Sequence, residues 1–310
     1  MGSIPVPSTK MTCTSSVGLF FMSENCDILL AGTMGAIAED VRDSLVAHGL
    51  CVELMDFAQN VHKDEFGYRR KLLKTIALCR PRVIMPVGNP LTLSLMRDEL
   101  PGDIVAAVER PELIRILDSK VAVSRLAAEL GIRQPHIYSS PDEVGDRQVV
   151  FKRDISFGAQ GVHLPWNRKS LDNLIAHQSP GEPYLIEDYI EGEDWSIDVL
   201  RMNGFVRSGV YKVLAHHPAT GAKPGFRGAM GPSVSRERRD FPELERMALA
   251  ILDHLDYNGV CGMDFRVDAD GVPYFLECNP RFTGGVSSQV SFGFDIPYLL
   301  WEKTIEGLRR

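Results

Sequence analysis

Along the first hundred residues the apolar positions follow two alternating periods. Asp27–Thr33, Cys51–Phe57, Arg82–Val87 and Asp103–Val108 are short, largely apolar runs of strand length. Between them, Gly35–His48, Phe66–Cys79 and Leu91–Leu100 space their apolar residues as helices do, and Gly49 supplies a stop. Strands alternating with helices predict a parallel, doubly wound sheet. Leu113–Leu130 reads as one long helix ended by Gly131, with Pro135 and Pro141 marking a change of character. From Gln148 onward the pattern becomes strand-rich: VVFKR, GVHLP, YLIEDYI, SIDVLRM and FVRSGVYKV, with Asn203-Gly204 as a hairpin turn. Pro242–Leu255 and Ile296–Leu308 read as helices, and Gly259–Cys278 as a second hairpin. His216–Ser235, rich in Gly, Pro and small residues, reads as a long loop, either a lid or a disordered segment.

Composition narrows the function classes. A chain of 310 residues, 44% hydrophobic and 24% charged, is globular and large enough for about two domains. Its net charge of −7 argues against general nucleic-acid binding, which rests on a basic surplus. No stretch approaches the ~20 apolar residues of a membrane span, and Val17–Met22 is too short for a signal-peptide core. Six scattered cysteines without C-x-x-C spacing read as buried thiols in a reducing compartment, so a cytoplasmic location is expected. Gly32–Gly35 is not a dinucleotide fingerprint, because no acidic residue follows where a ribose needs one.

The most informative segment is VCGMDFRVDADGVPYFLECNP, Val260–Pro280. If Asp270-Gly271 forms a two-residue turn, Asp264 faces Glu277, and Asn279 shares their face by the strand period. Two carboxylates with Cβ atoms ~5 Å apart repel each other, a pairing that does not serve stability. A divalent cation removes the conflict, and hard oxygen ligands suit Mg²⁺. Unrelated acids on a solvated face remain the alternative, against which Glu277 sits in an apolar run. A four-residue loop keeps the acids as diagonal neighbours; a three-residue loop breaks the arrangement. Cys278, alternating with Glu277 and Asn279, is expected to face the core.

A second segment, FKRDISFGAQGV, carries Lys152 on a strand leading into a loop with Gly158 and Gly161. Such a loop lets backbone N–H groups approach phosphate oxygens, and a lysine adds charge. A plain hairpin loop with an exposed lysine is the other reading. Neither a G-K-[ST] loop nor a protein-kinase catalytic segment is present.

Together with DSKVAVSRLAAELGIRQP, YLIEDYIEGEDWSIDVL and the extended hairpin MDFRVDADGVPYFLECNPRFTGG, this order of segments resembles the ATP-grasp superfamily. The similarity is to the carboxylate–amine ligase type and to the carbamoyl-phosphate synthase and biotin carboxylase domains, over roughly residues 112–300. The resemblance implies an α/β fold with an N-terminal doubly wound domain (26–118) after a tail (1–25). A two-lobed α+β ATP-grasp domain would follow, with a small lobe (119–190) and a C-terminal lobe carrying the metal hairpin (191–310).

The resemblance also implies roles. Lys120 and Lys152 would contact ATP phosphates, and Gly158, Ala159 and Gly161 would close over them. Glu187, Asp188 and Ile190 would form the hinge that meets adenine, and Glu193 or Asp194 would bind ribose. Asp264, Glu277 and Asn279 would hold Mg²⁺, as a pair of ions. Arg281 would stabilise the transferring phosphoryl group or the acyl-phosphate intermediate, and the Thr283-Gly284-Gly285 turn would bring backbone N–H groups near the substrate carboxylate. Position 264 is Asp where much of the family has Glu, which shortens the arm without changing the chemistry. The implied reaction joins a small-molecule carboxylate to an amine through an acyl phosphate, releasing ADP and phosphate. A silent ATP-binding regulatory module and a phosphotransferase are the alternatives. No nucleic-acid or membrane partner is implied, and a homodimer is an expectation from related enzymes.

Four further readings remain. Lys212 points into the substrate cleft or is a solvated strand lysine. Arg227 closes over a carboxylate or is a loop charge. Arg236–Arg239 is expected to be a solvated helix entry, and Trp195 a packing residue.

Overall fold

The structure is a computed structural model, described here for residues 26–32, 35–57, 64–156, 161–165, 167–215 and 235–308. The tail at 1–25, Gly158, Ala159, Arg227 and nearly all of the long loop lie outside the described residues.

Four parallel strands open the chain: β1 (Ile28–Gly32), β2 (Val52–Asp56), β3 (Val83–Pro86) and β4 (Val105–Ala106), in the order β2-β1-β3-β4. The side chains of β1 and β3 are all buried, which requires cover on both faces. Ile28, Leu30, Val83 and Met85 pack with Val41 and Leu45 of α1 (Ala36–Ala47). The opposite face places Leu29, Ala31 and Ile84 against Tyr68, Leu72 and Ile76 of α2 (Glu65–Cys79) and Leu93 of α3 (Pro90–Leu95). The third helix is shorter than expected: it ends at Leu95, and a single 3₁₀ turn covers Arg97–Glu99.

The long helix expected at 113–130 is two helices, α4 (Pro111–Asp118) and α5 (Lys120–Glu129). Ser119 separates them. Its extended backbone breaks the first helix, and its hydroxyl accepts from Ala122 N to cap the second. The break places Lys120 on the first turn of a helix instead of mid-helix.

Two antiparallel sheets follow. The smaller is β6-β5-β7, formed by β5 (Val149–Arg153), β6 (Val162–His163) and β7 (Tyr184–Asp188), with α6 (Arg168–Ala176) beside it. The larger is β10-β9-β8-β11-β12: β8 (Glu193–Met202), β9 (Phe205–Ala215), β10 (Ser235–Arg238), β11 (Gly259–Val267) and β12 (Pro273–Asn279). Residues 189–192 link the two sheets and overlap the hinge expected at Glu187–Ile190, whose first two residues end β7.

One face of the large sheet is apolar. Ile197, Val199, Val210, Met263, Phe265, Phe275 and Cys278 pack against α4, α5 and α7 (Pro242–His254). Cys278 therefore faces the core as expected, and Trp195 packs edge-on against Phe241. The other face is polar near β12. Further along, α8 (Val286–Ser291) and α9 (Ile296–Leu308) cover it and join it to the N-terminal sheet through a shared core. No described helix is long and apolar enough to cross a membrane.

Candidate functional site

Asp264 and Glu277 are directly opposed across β11 and β12. The local route to that pairing differs from the expected one. Asp268 N bonds Val272 O, so the loop has three residues, Ala269, Asp270 and Gly271. Such a loop shifts the pairing, and Phe265 faces Phe275. An irregularity between Asp264 and Phe265 then restores the register, leaving Leu276 as the extra residue of a β-bulge. The bulge returns Glu277 to the face of Asp264. It also turns the Leu276 carbonyl toward Lys152, whose Nζ donates to it at 3.3 Å.

Opposed residues on neighbouring strands share a face. One row runs Tyr211, Ser196, Asp264, Glu277, and the next runs Gly209, Asp198, Gly262, Asn279. The two lysines reach this face over the edge strand β12. Lys120 Nζ lies 3.3 Å from Glu277 Oε2, and Lys152 Nζ lies 2.5 Å from Glu187 Oε1. Lys120 and Lys152 are 6% and 5% exposed and Glu187 3%, so Lys152 is not the exposed lysine of a plain hairpin loop.

The electrostatics follow from burial. Burial and the Glu277 charge push the Asp264 carboxyl well above the usual carboxylate range. Burial also opposes ionisation of Glu277, but Lys120 and Lys152 outweigh it and hold that carboxyl below its ordinary value. At Glu187 burial prevails over the Lys152 attraction and the carboxyl is raised. Asp264 and Glu277 with Asn279 offer hard oxygen donors, a set that fits Mg²⁺ rather than a thiolate- or imidazole-seeking metal. Among the described residues no group of three or more His, Cys, Asp or Glu gathers around one point, so the remaining ligands of a cation would come from a substrate such as phosphate.

Arg281 follows β12. Its Nη2 donates to Asn279 Oδ1 at 2.8 Å, so one guanidinium edge is tied to the third donor of the set. Gly284 forms a half-buried turn and Gly285 precedes α8. Gly161 closes the loop after β5: Arg153 N donates to its carbonyl at 2.9 Å, and a Cβ at Gly161 would sit against Ser156. Asp154, absent from the sequence reading, joins this loop to α5. Its Oδ1 accepts from Ser119 Oγ at 2.8 Å and from Val121 N at 2.9 Å.

At the expected hinge, Asp188 ends β7 and accepts from Tyr138 Oη, and Ile190 lies in the link between the sheets. Asp194 lies on the polar face and pairs with Arg266 at 3.0 Å. Glu193 points to the opposite side, where it meets Lys212 at 2.6 Å. Lys212 is opposed to Trp195, so it occupies the apolar face and not the row of Asp264.

Arg236 departs most from expectation. The Arg236–Arg239 stretch begins on strand β10, not at a solvated helix entry, and Arg236 is buried with its Nη1 3.3 Å from Asp198 Oδ2. Sequence reasoning missed it because the partner lies 38 residues earlier on a non-adjacent strand.

Residues 117–285 match the family model for the ATP-grasp domain. The chain is 24% identical over 213 residues to the carbamoyl phosphate synthase large chain of Thermomicrobium roseum, covering 65% of this chain but 19% of that one. It thus spans about a fifth of that relative's length. Its fold is similar to the biotin carboxylase domain of the 2-oxoglutarate carboxylase of Hydrogenobacter thermophilus, a dimer in complex with MgADP and bicarbonate. The TM-score there is 0.66 at 16% identity, over 92% of this chain and 70% of that one. A further solved structure, the L-amino acid ligase of Bacillus licheniformis, aligns with TM-score 0.65 at 16% identity, over 88% and 73%.

Proposed function

The chain belongs to the ATP-grasp family, and on that premise we propose that it is an ATP- and Mg²⁺-dependent ligase joining a small carboxylate to an amine. The observation that carries this reading is the convergence of Lys120 and Lys152 on the bulged strand that opposes Glu277 to Asp264.

A carboxylate is a poor acyl donor because its oxygen is a bad leaving group. Its attack on the γ-phosphorus of ATP forms a C–O–P linkage and releases ADP. The amine nitrogen then attacks the acyl carbon, and phosphate leaves as the amide forms. Mg²⁺, as one ion or a pair, would neutralise charge on the phosphate oxygens. The protein's own groups would position and compensate. Lys120 and Lys152 would hold the phosphates from the β12 edge. Asp264, Glu277 and Asn279 would hold the cation, and Arg281, braced on Asn279, would meet the transferring group. Gly158, Ala159 and Gly161 would close over the phosphates. Asp188 and Ile190 would take the adenine edge, with Glu187 orienting Lys152. Asp194 is better placed than Glu193 for the ribose, because it shares the polar face. Gly284 and Gly285 would face the substrate carboxylate. The N-terminal parallel sheet would be the leading doubly wound domain, and a homodimer is consistent with the dimeric biotin carboxylase domain.

The test is ADP and phosphate release from Mg-ATP across amino acids and small carboxylates, singly and in pairs. Release that needs both an acid and an amine is expected. Release with an acid alone, yielding a stable phosphorylated product, would replace the ligase with a phosphotransferase.

A further inference from the structure

Beyond the lysines and the acid pair, the polar face holds a second charged cluster. Asp198 is 1% exposed and Arg236 6%. Asp198 Oδ1 accepts from Thr283 Oγ1 at 2.8 Å. Its Oδ2 accepts from Gln289 Nε2 at 2.5 Å and lies 3.3 Å from Arg236 Nη1. One carboxylate therefore ties together β8, β10, the segment after Arg281 and α8. Packing around it leaves little slack. A Cβ at Gly285 would collide with the Arg236 guanidinium, and a Cβ at Gly262 would collide with Thr283.

Stability does not account for this arrangement. A buried ion pair roughly breaks even against well-packed apolar residues of similar volume. The neighbouring part of the same face is closed by such residues, Leu200, Val260, Phe282 and Val286. The charged cluster appears where Thr283 and Gly285 meet Asp198 and Arg236, in the row next to that of Asp264.

Its location separates it from the nucleotide side. Lys120 and Lys152 reach Glu277 over the β12 edge. Asp198 lies on β8, with β11 between it and that edge, and Arg236 comes from β10 at the far edge. If ATP phosphates lie between the lysines and the acid pair, the groups beyond Asp264 face the other reactant.

We infer that Asp198 and Arg236 are a positioning pair that holds the Thr283–Gly285 turn for the carboxylate substrate and leaves ATP binding to the opposite edge. This rests on the ligase reading above. The pair acts through the turn and takes no part in bond making.

Steady-state kinetics of D198N, R236Q and R236K test it, using the acid and amine that the wild-type panel identifies, with melting temperature as the folding control. D198N and R236Q are expected to raise KM for the carboxylate about tenfold or more, and KM for Mg-ATP by several-fold less, since both charges also act on Asp264. R236K, which keeps the charge, is expected to recover most of the loss. An equal rise in both KM values, or no rise in either, overturns the inference. Hydrogen exchange provides a readout independent of turnover. D198N is expected to speed exchange in peptides spanning 282–290 and to leave those from β5 and β7 unchanged. If wild type releases no ADP with any acid–amine pair, the ligase reading fails by itself, and exchange alone then judges the pair. Unchanged exchange at 282–290 overturns it.

Discussion

Replacing Lys152 with methionine should cost more stability than replacing Lys152 and Glu187 together. Both side chains are almost wholly buried, and their charged atoms lie 2.5 Å apart. Methionine approximates the lysine stem but leaves the Glu187 carboxylate without its nearest cation. Removing one partner of a buried pair costs about 3–5 kcal/mol. With an unfolding entropy of about 2.1 cal/mol/K per residue, a chain of 310 residues loses about 1.5 °C per kcal/mol, hence roughly 5–8 °C. K152M/E187L removes both charges and should recover most of that fall. Differential scanning calorimetry measures it, and an ADP-release assay on the same samples separates folding from chemistry, since neither variant should turn over. The pH dependence has a definite sign. The Glu187 carboxyl is already raised above its ordinary 4.5 by burial, against the Lys152 attraction, and losing Lys152 raises it further. A folded-state value above the unfolded one means that the folded protein binds more protons, so stability falls as pH rises above about 4.5. The K152M deficit should therefore be small near pH 4.5 and widen toward neutrality. Equal melting temperatures for wild type and K152M at neutral pH would refute the compensation argument. A double variant no more stable than the single one would do the same.

Three further outcomes can be measured directly. D264N and E277Q should each abolish Mg²⁺-dependent ADP release. D264N should leave the metal-free melting temperature unchanged or slightly higher, because burial and the Glu277 charge already disfavour ionisation at Asp264 and asparagine keeps the shape without a titratable group; full turnover by either variant would remove the metal assignment. G192A should destabilise by about 1–3 kcal/mol, because a Cβ there would collide with the Val267 carbonyl, a backbone group that cannot swing aside. The matched control G102A, with nothing within 4 Å, should be neutral within about 0.5 kcal/mol by denaturant titration. Deleting Leu276 leaves the residues on the two sides of the three-residue loop equal in number, so Asp264 can oppose Glu277 without a bulge; the loss of the Leu276 carbonyl that Lys152 meets should weaken Mg-ATP binding, as seen by calorimetric titration.

Much of the site could be read before folding, because local rules carry it. The two-residue period of a strand places Glu277 and Asn279 on one face and Cys278 on the other, whatever the rest of the chain does. Alternating apolar runs announced the parallel strands, since residues buried on both sides have no polar face to show. Ser119 was legible in principle, being a side chain that caps helices inside a run otherwise periodic enough to hide it. The opposition of Asp264 and Glu277 was reached through a turn that the protein does not use. Two offsets cancel, a longer loop and a bulge at Leu276, and a bulge leaves no mark in sequence because it is set by what the neighbouring strand and Lys152 demand. Lys212 and Arg236 show the remaining limit. Each is a basic residue on a polar-looking strand, and composition treats them alike. One is held by Glu193 on the apolar face and the other is buried against Asp198, Thr283 and Gln289. Those partners come from strands and turns brought together by the sheet order. Burial of a charge depends on such distant groups, so it is settled when the layers pack and not while the strand is read.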